Sequence, residues 1–421
     1  MKNHYEVIVV GAGQAGLSMS YLLKQKGIDH VVFEKKRIAD SWSSYRWDTF
    51  CLVTPNWQCH LPGYSYSGND PYGFMVKDEI VAFLEGYAAS FDPPVKEGVE
   101  VLAVSKESGT DSFTVLTNEG IYSTNQVVVC IGNFHSAPLP PLAQKFSSSI
   151  LQVHSAHYKN PESLPEGEVL VVGTGQSGAQ IAEDLHLAGR TVHLCVGKAP
   201  RCARLYRGKD VVEWLDKMKY YDIPVDRHPE GENVRDKTNH YVTGRDGGRE
   251  IDLRKFALEG MKLYGVLNEV TDSELVFSPN LKEHLDYADK VSENINRRID
   301  QYILDNQIDV PAEPKYVPVW EPGHEVTSLA LRDTAITSVV WCIGFGHDYT
   351  WIELPVLNER GLPVHQRGVT EVDGLYFLGL TWQHTWGSAR FSGVAKDAEY
   401  ILEKIEKAVL ESVPALESNE E

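Results

Sequence analysis

A glycine-punctuated pattern occurs twice in this chain and constrains its fold more than any other feature. VIVVGAGQAG begins at Val7 and VLVVGTGQSG at Val169, and at an offset of 162 residues the two segments align without a gap. Gly11, Gly13, Gln14, Gly16, Leu23 and Gly27 fall on Gly173, Gly175, Gln176, Gly178, Leu185 and Gly189. Each copy reads as a β-branched strand, a tight turn, a helix and a second strand, the βαβ unit of a dinucleotide-binding fold. A weaker repeat joins VVVCIG (127–132) to VVWCIG (339–344), so each unit has a later strand ending in glycine. The expected fold class is α/β, with two Rossmann-like domains.

The glycines have separate physical tasks. Gly11 permits the tight turn, Gly13 lets the backbone approach a pyrophosphate, and Gly16 lets helix and strand pack closely. The helix start, Gln14-Ala15 here and Gln176-Ser177 in the second copy, offers free N–H groups and partial positive charge to phosphates. Glu34, followed by Lys35, ends the second strand 23 residues after Gly11, where a carboxylate can accept ribose hydroxyls. The second copy has Val196 at the matching position, and Lys198, Arg201, Arg204 and Arg207 come after it. Cations suit a 2′-phosphate, whereas a carboxylate would repel it. The reading is FAD at the first unit and NADPH at the second; the bland alternative for the cations is a solvated basic loop.

The 421 residues leave room for two or three domains, and 42% apolar with 24% charged residues is ordinary for a globular chain. A net charge of −19 argues against nucleic acid or an anionic membrane as a partner through bulk electrostatics. The six cysteines show neither C-x-x-C nor metal-type spacing, so no metal site is expected and a reduced, cytoplasmic protein is the simplest reading. The N-terminus has no leader-like apolar run, and the longest apolar stretches are strand-length. The stretch 240–254, with Asp246-Gly247-Gly248, reads as hairpin-like, and its arginines 245, 249 and 254 suit a carboxylate substrate or a solvated face. The aromatic run Trp382, His384, Trp386 either lines a substrate pocket or packs in the core. The ESNEE tail is expected to fray.

In its combination of motifs the chain resembles the flavin-containing monooxygenase superfamily, and more closely its bacterial branch and the plant auxin-forming enzymes. GAGQAG resembles the FAD fingerprint and GTGQSG the NADPH fingerprint. HSAHY (154–158) resembles the end of F-x-G-x-x-x-H-S-x-x-Y, with Ser148 and Ile150 in the Phe and Gly slots. FEKKRIADSWSSYRWD, LVTPNWQCHLPG, VVVCIGNFHSAP, VVWCIGFGHDYTWIELP and GLYFLGLTWQH extend the likeness over nearly the whole chain. The resemblance implies that Trp42 and Arg46 lie near FAD and that Gly132 closes the crossover to the nucleotide domain. It gives His154 and Tyr158 a domain-linking role in contact with NADPH. The family's active-site asparagine falls nearest Asn56, although the register equally admits Val53 or Thr54.

The function so implied is an FAD- and NADPH-dependent monooxygenase that forms a C4a-peroxyflavin and oxygenates a small molecule with dioxygen at nitrogen, sulfur or a carbonyl. An NADPH oxidase or redox-sensing flavoprotein is the alternative, and a disulfide reductase lacks its cysteine pair. A homodimer is compatible with this reading. The expected domains are 1–160 (FAD, first part), 161–325 (NADPH, with a helical and hairpin insertion) and 326–421 (FAD, second part).

Overall fold

The computed structural model describes residues 2–106, 109 and 112–412; the ESNEE tail lies outside them. Two sheets organise the chain. The first runs Val95–Glu97, His30–Glu34, His4–Val10, Gly120–Val129, Phe113–Thr117 and Val101–Lys106, in that spatial order. The first four strands are parallel and the last two turn back antiparallel. The strand Leu375–Phe377 returns from the far end of the chain to lie parallel to Gly120–Val129. The second sheet is parallel throughout, in the order Lys262–Tyr264, Val192–Cys195, Glu168–Val172, Ile336–Trp341 and Leu151–His154.

Alternation along the strands builds the core. Val7 and Val9 pack on one face of the first sheet with Leu17, Ala398, Ile401 and Ile405, while Ile8 and Val10 pack on the other with Val127, Val129 and Phe377. The helix Gln14–Gln25 and the closing helix Val394–Ser412 supply the first of those faces. In the second sheet Val169 and Val171 point one way and Leu170 and Val172 the other. Burial on both faces explains why these strands read as unbroken apolar runs.

The sheet pairing corrects the expected boundaries of 161 and 325. Leu151–His154 already belongs to the second sheet, and so does Ile336–Trp341, which carries the front of VVWCIG. The repeat of VVVCIG is thus the equivalent strand of the second unit and not a strand of the first sheet. A parallel strand buried on both faces looks the same in sequence whichever sheet it joins.

The segment 240–254 forms no hairpin strands. Asp246, Gly247 and Gly248 make the turn at φ 53°, 81° and 89°, and one bridge joins Thr243 to Arg249. Its arginines answer acids of the chain itself. Arg245 pairs with Asp184 at 2.6 Å, Arg249 with Glu183 at 3.2 Å, and Arg254 with Asp286 and Asp289 at 2.6 and 2.9 Å. Among the described residues no helix is long and apolar enough to cross a membrane, and no cluster suits a metal.

Candidate functional site

Both glycine turns are built alike. A Cβ on Gly11 would stand 2.7 Å from the Cys130 carbonyl oxygen, and one on Gly173 would stand 2.5 Å from that of Cys342. Gly16 and Gly178 lie so close to the preceding turn that a Cβ would overlap the oxygens of Gly11 and Gly173. Gly13 differs, because a Cβ there would meet no protein atom within 4 Å. Its open side faces a cavity of about 480 Å³ that Gly11, Gly13, Gln14, Ala15, Glu34, Lys35, Trp42, Arg46 and Gly132 all line. No side chain caps the helix that starts at Gln14, so its first N–H groups are free for an anion.

Glu34 ends the second strand on the wall of the same cavity. Its two oxygens accept the Ala12 and Lys36 N–H groups at 2.8 and 3.0 Å, which fixes the carboxylate and leaves lone pairs for hydroxyl donors. Gln14 crosslinks the site: its amide donates to the Ala389 carbonyl and accepts the Trp42 indole N–H. Arg46 is buried against Trp42, Phe50 and Phe134, with guanidinium-to-ring distances of 5.1, 5.3 and 4.8 Å. Burial pulls its pKa down to about 10, which still leaves it a cation at neutral pH. An open cradle, a fixed carboxylate and a buried cation fit FAD.

The second unit reaches the same cavity through Gln176, Ser177 and Gln180. The helix from Gln176 likewise has no side-chain cap, and Gly175 stands open apart from Thr238 at 3.6 Å. The segment after its second strand departs from expectation. Val196 is in the core, and its carbonyl accepts from His284. Arg201 and Arg204 are buried and engaged, so neither is free for a 2′-phosphate. Arg201 pairs with Glu250 and with Asp289 at 2.8 Å, and it lies over Tyr316. Burial alone would lower its pKa, and these two carboxylates more than reverse that. Arg204 pairs with Asp210 and donates to the Val53 carbonyl at 2.9 Å. Lys198 alone of the three remains exposed, over the Tyr287 ring at 5.2 Å.

Three further expectations are corrected. His154 is buried: its Nε2 donates to the Gly344 carbonyl at 2.7 Å and its Nδ1 accepts from Ala156. It ties two loops of the second sheet and does not line the cavity; its neighbour Ser155 does. Tyr158 is buried and donates to Asp184 at 2.6 Å, beside the Thr49 hydroxyl and Arg245. Asn56 is also engaged at both ends, donating to the Asp70 carbonyl and accepting from Met75. It anchors the 70–75 loop outside the cavity, whereas Val53 and Thr54, the alternative register, line it.

Of the aromatic run, Trp382 packs with Val225 and Val234, and Trp386 stacks on Tyr221 at 4.4 Å. Neither lines the cavity, although Thr381, Ala389 and Arg390 on either side do. Asn133 donates to Thr381 at 3.0 Å and so joins the loop after VVVCIG to the loop after GLYFLG. Asn133, Ser155, Gln180, Asn239, Thr381 and Arg390 line the cavity and were not legible from spacing.

The model of the pyridine nucleotide-disulphide oxidoreductase family matches residues 8–256. An oxidoreductase of Geobacillus kaustophilus described as CzcO-like is 35% identical over 408 residues, covering 96% of this chain and 99% of that one. The indole-3-pyruvate monooxygenase YUCCA6 of Arabidopsis thaliana is 32% identical over 200 residues, 46% of this chain and 48% of its own. A variant of the flavin monooxygenase from Stenotrophomonas maltophilia superposes with a TM-score of 0.66 at 18% identity, covering 97% of this chain and 100% of that one.

Proposed function

Because this chain belongs to the pyridine nucleotide-disulphide oxidoreductase family and to the flavin-containing monooxygenase superfamily, we propose that it is an FAD- and NADPH-dependent monooxygenase of small molecules. The observation that carries this reading is the cavity shared by the two nucleotide turns, Gly13 on one side and Gln176-Ser177 on the other. Two dinucleotides held by those turns would meet in one enclosed space. FAD, when bound, supplies the redox chemistry: it takes a hydride from NADPH and passes electrons to dioxygen.

The chain's own residues supply position and dryness. The free N–H groups after Gly13 and the turn at Gly11 would receive the FAD pyrophosphate, and Glu34 its ribose. Arg46 puts a fixed positive charge beside Trp42, and Gln14 holds Trp42 and Ala389 in register. Phe50, Phe345 and Phe391 line the space, and with the cofactors seated this apolar wall would keep water out and strengthen each polar contact inside. Thr54 and the Asn133–Thr381 pair offer polar groups at its wall. At the second unit Lys198 remains the candidate for a 2′-phosphate.

The shared cavity also bears on the rival reading. A disulfide reductase needs two accessible thiols there, and Cys130 is the one cysteine on its wall among the described residues. Burial pushes that thiol far above its ordinary range, so it is not a nucleophile at neutral pH. The test is NADPH consumption measured against oxygenated product and hydrogen peroxide over a panel of amines, thioethers and ketones. Product matching NADPH for one class supports a monooxygenase; peroxide matching NADPH under every probe would make the protein an oxidase.

A further inference from the structure

The chain carries 59 acidic residues, and three of its four buried arginines pair with them, while the fourth, Arg46, lies among aromatic rings. Arg201, Arg204 and Arg254 each pair with one to three carboxylates. Arg390, half-buried, is a second cation without a carboxylate. It lines the cavity, yet among the described residues no carboxylate comes within ion-pair distance of it. Two of its N–H donors meet neutral acceptors, the Trp386 carbonyl and the Asn239 side-chain oxygen at 3.0 Å. Its guanidinium lies 3.8 Å from the Trp386 ring, which is itself stacked on Tyr221. Burial pulls its pKa down to about 10.

A guanidinium has five donors in a planar fork and is costly to bury without an anion. Here three donors lack an acceptor among the described residues, at the edge of a space meant for ligands. Its neighbours Ala389 and Phe391 touch Gln14 and Trp42 beside the first turn, so Arg390 stands between that turn and the segment that carries Tyr221 and Asn239. Arg46 also sits beside the first turn, among Trp42 and Phe50.

We propose that Arg390 is a specificity-determining residue that binds the carboxylate of an acidic small-molecule substrate, with Asn239 and Trp386 holding its fork in position. The proposal rests on the monooxygenase reading above. A planar carboxylate matches the fork in bidentate fashion, and the aromatic lining at Phe345 and Phe391 suits an aryl or branched apolar remainder.

The probes are phenylacetate and phenylacetamide, which share a frame and differ in charge. Binding to the purified flavoprotein is measured by calorimetry, and NADP⁺ binding in parallel. The wild type is expected to bind the acid at least about tenfold more tightly than the amide. Arg390→Gln should weaken the acid by about 10- to 100-fold and leave the amide and NADP⁺ unchanged. Arg390→Lys should recover part of the loss, because it keeps charge without the fork. Asn239→Ala, which frees one arm of the guanidinium, should weaken the acid severalfold and serves if Arg390→Gln fails to hold flavin. Equal binding of acid and amide to the wild type overturns the proposal. So does an Arg390→Gln variant that loses NADP⁺ affinity while keeping its preference for the acid. Acid preference together with no oxygenated product over the panel of amines, thioethers and ketones would sink the monooxygenase reading and leave the anion site standing.

Discussion

The two nucleotide units share their glycine geometry and part company one strand later. In the first, the second strand ends in Glu34, whose carboxylate faces the cavity and is fixed by the Ala12 and Lys36 N–H groups. In the second, the matching Val196 is in the core, and the cations behind it turn inward to Glu250, Asp289 and Asp210. The difference teaches that the turn sets how closely a backbone approaches a phosphate, whereas the identity of the bound ribose depends on which side chains the surrounding fold leaves free. Arg201 and Arg254 both meet Asp289, on the long helix Leu281–Asp305, so the cations expected at a ligand instead fasten that helix to the second sheet.

The largest effect should come from filling the two open glycine positions. Gly13 and Gly175 have extended backbone that any residue adopts, so a side chain there is a problem for the ligand and not for the chain. Gly13→Val should reduce flavin, measured by absorbance per protein, by at least about tenfold. Gly175→Val should keep flavin and lose NADPH-driven reduction. A Gly13→Val protein with full flavin would break the assignment of the first unit.

Next in size is the fate of the buried cation. Arg201→Ala leaves Glu250 without its partner and Asp289 with Arg254 alone; because Glu250 is exposed, the cost should fall below the roughly 3–5 kcal/mol of a fully buried pair. The loss should appear in chemical denaturation, while the affinity for NADPH in the protein that remains folded stays near wild type. A stable Arg201→Ala protein with a tenfold weaker NADPH affinity would restore the phosphate role.

Lys198→Ala tests the cation that remains exposed. It should leave stability unchanged and raise the KM for NADPH by about tenfold, with NADH nearly unaffected, since one charge-assisted contact is worth roughly 1.5 kcal/mol. Equal changes for both coenzymes would place the 2′-phosphate elsewhere.

The smallest effect compares buried histidines in the two regions. Burial pulls His240, in the second, and His365, in the part of the chain that returns to the first, down to about 4. A folded pKa below the unfolded value of roughly 6.5 adds stability above that pH, and the contribution is lost as pH falls toward 4. His240→Gln and His365→Gln should therefore each gain on the wild type by roughly 1–2 kcal/mol between pH 7 and pH 5. A difference that stays constant with pH, read by denaturation, would show that the histidine is already free to charge.

Much of the fold and part of the site were readable because they rest on local backbone needs. Gly11 and Gly16 are required wherever strand, turn and helix pack this tightly, and a run such as Val7–Val10 announces a strand buried on both faces. That Glu34, Trp42 and Arg46 line the shared cavity was legible because they lie within one unit, at fixed distance along the chain from its turn. His154, Tyr158 and Asn56 were misplaced for a common reason. A polar side chain near a motif can point to the ligand or satisfy a buried loop, and burial, which is a property of distant segments, decides between them.

By itself the sequence determined two βαβ units, their tight glycine turns and the acid that ends the first unit's second strand, because each depends on residues closer than one supersecondary element. Tertiary structure alone decided that Ile336–Trp341 joins the second sheet, that Arg201 and Arg204 answer carboxylates, and that Arg390 does not. The physical reason is that a charge reports its partner only in three dimensions: the pairing energy of a buried cation falls off over a few ångströms, and its partners here lie from 6 residues away, as Asp210 does from Arg204, to 88, as Asp289 does from Arg201.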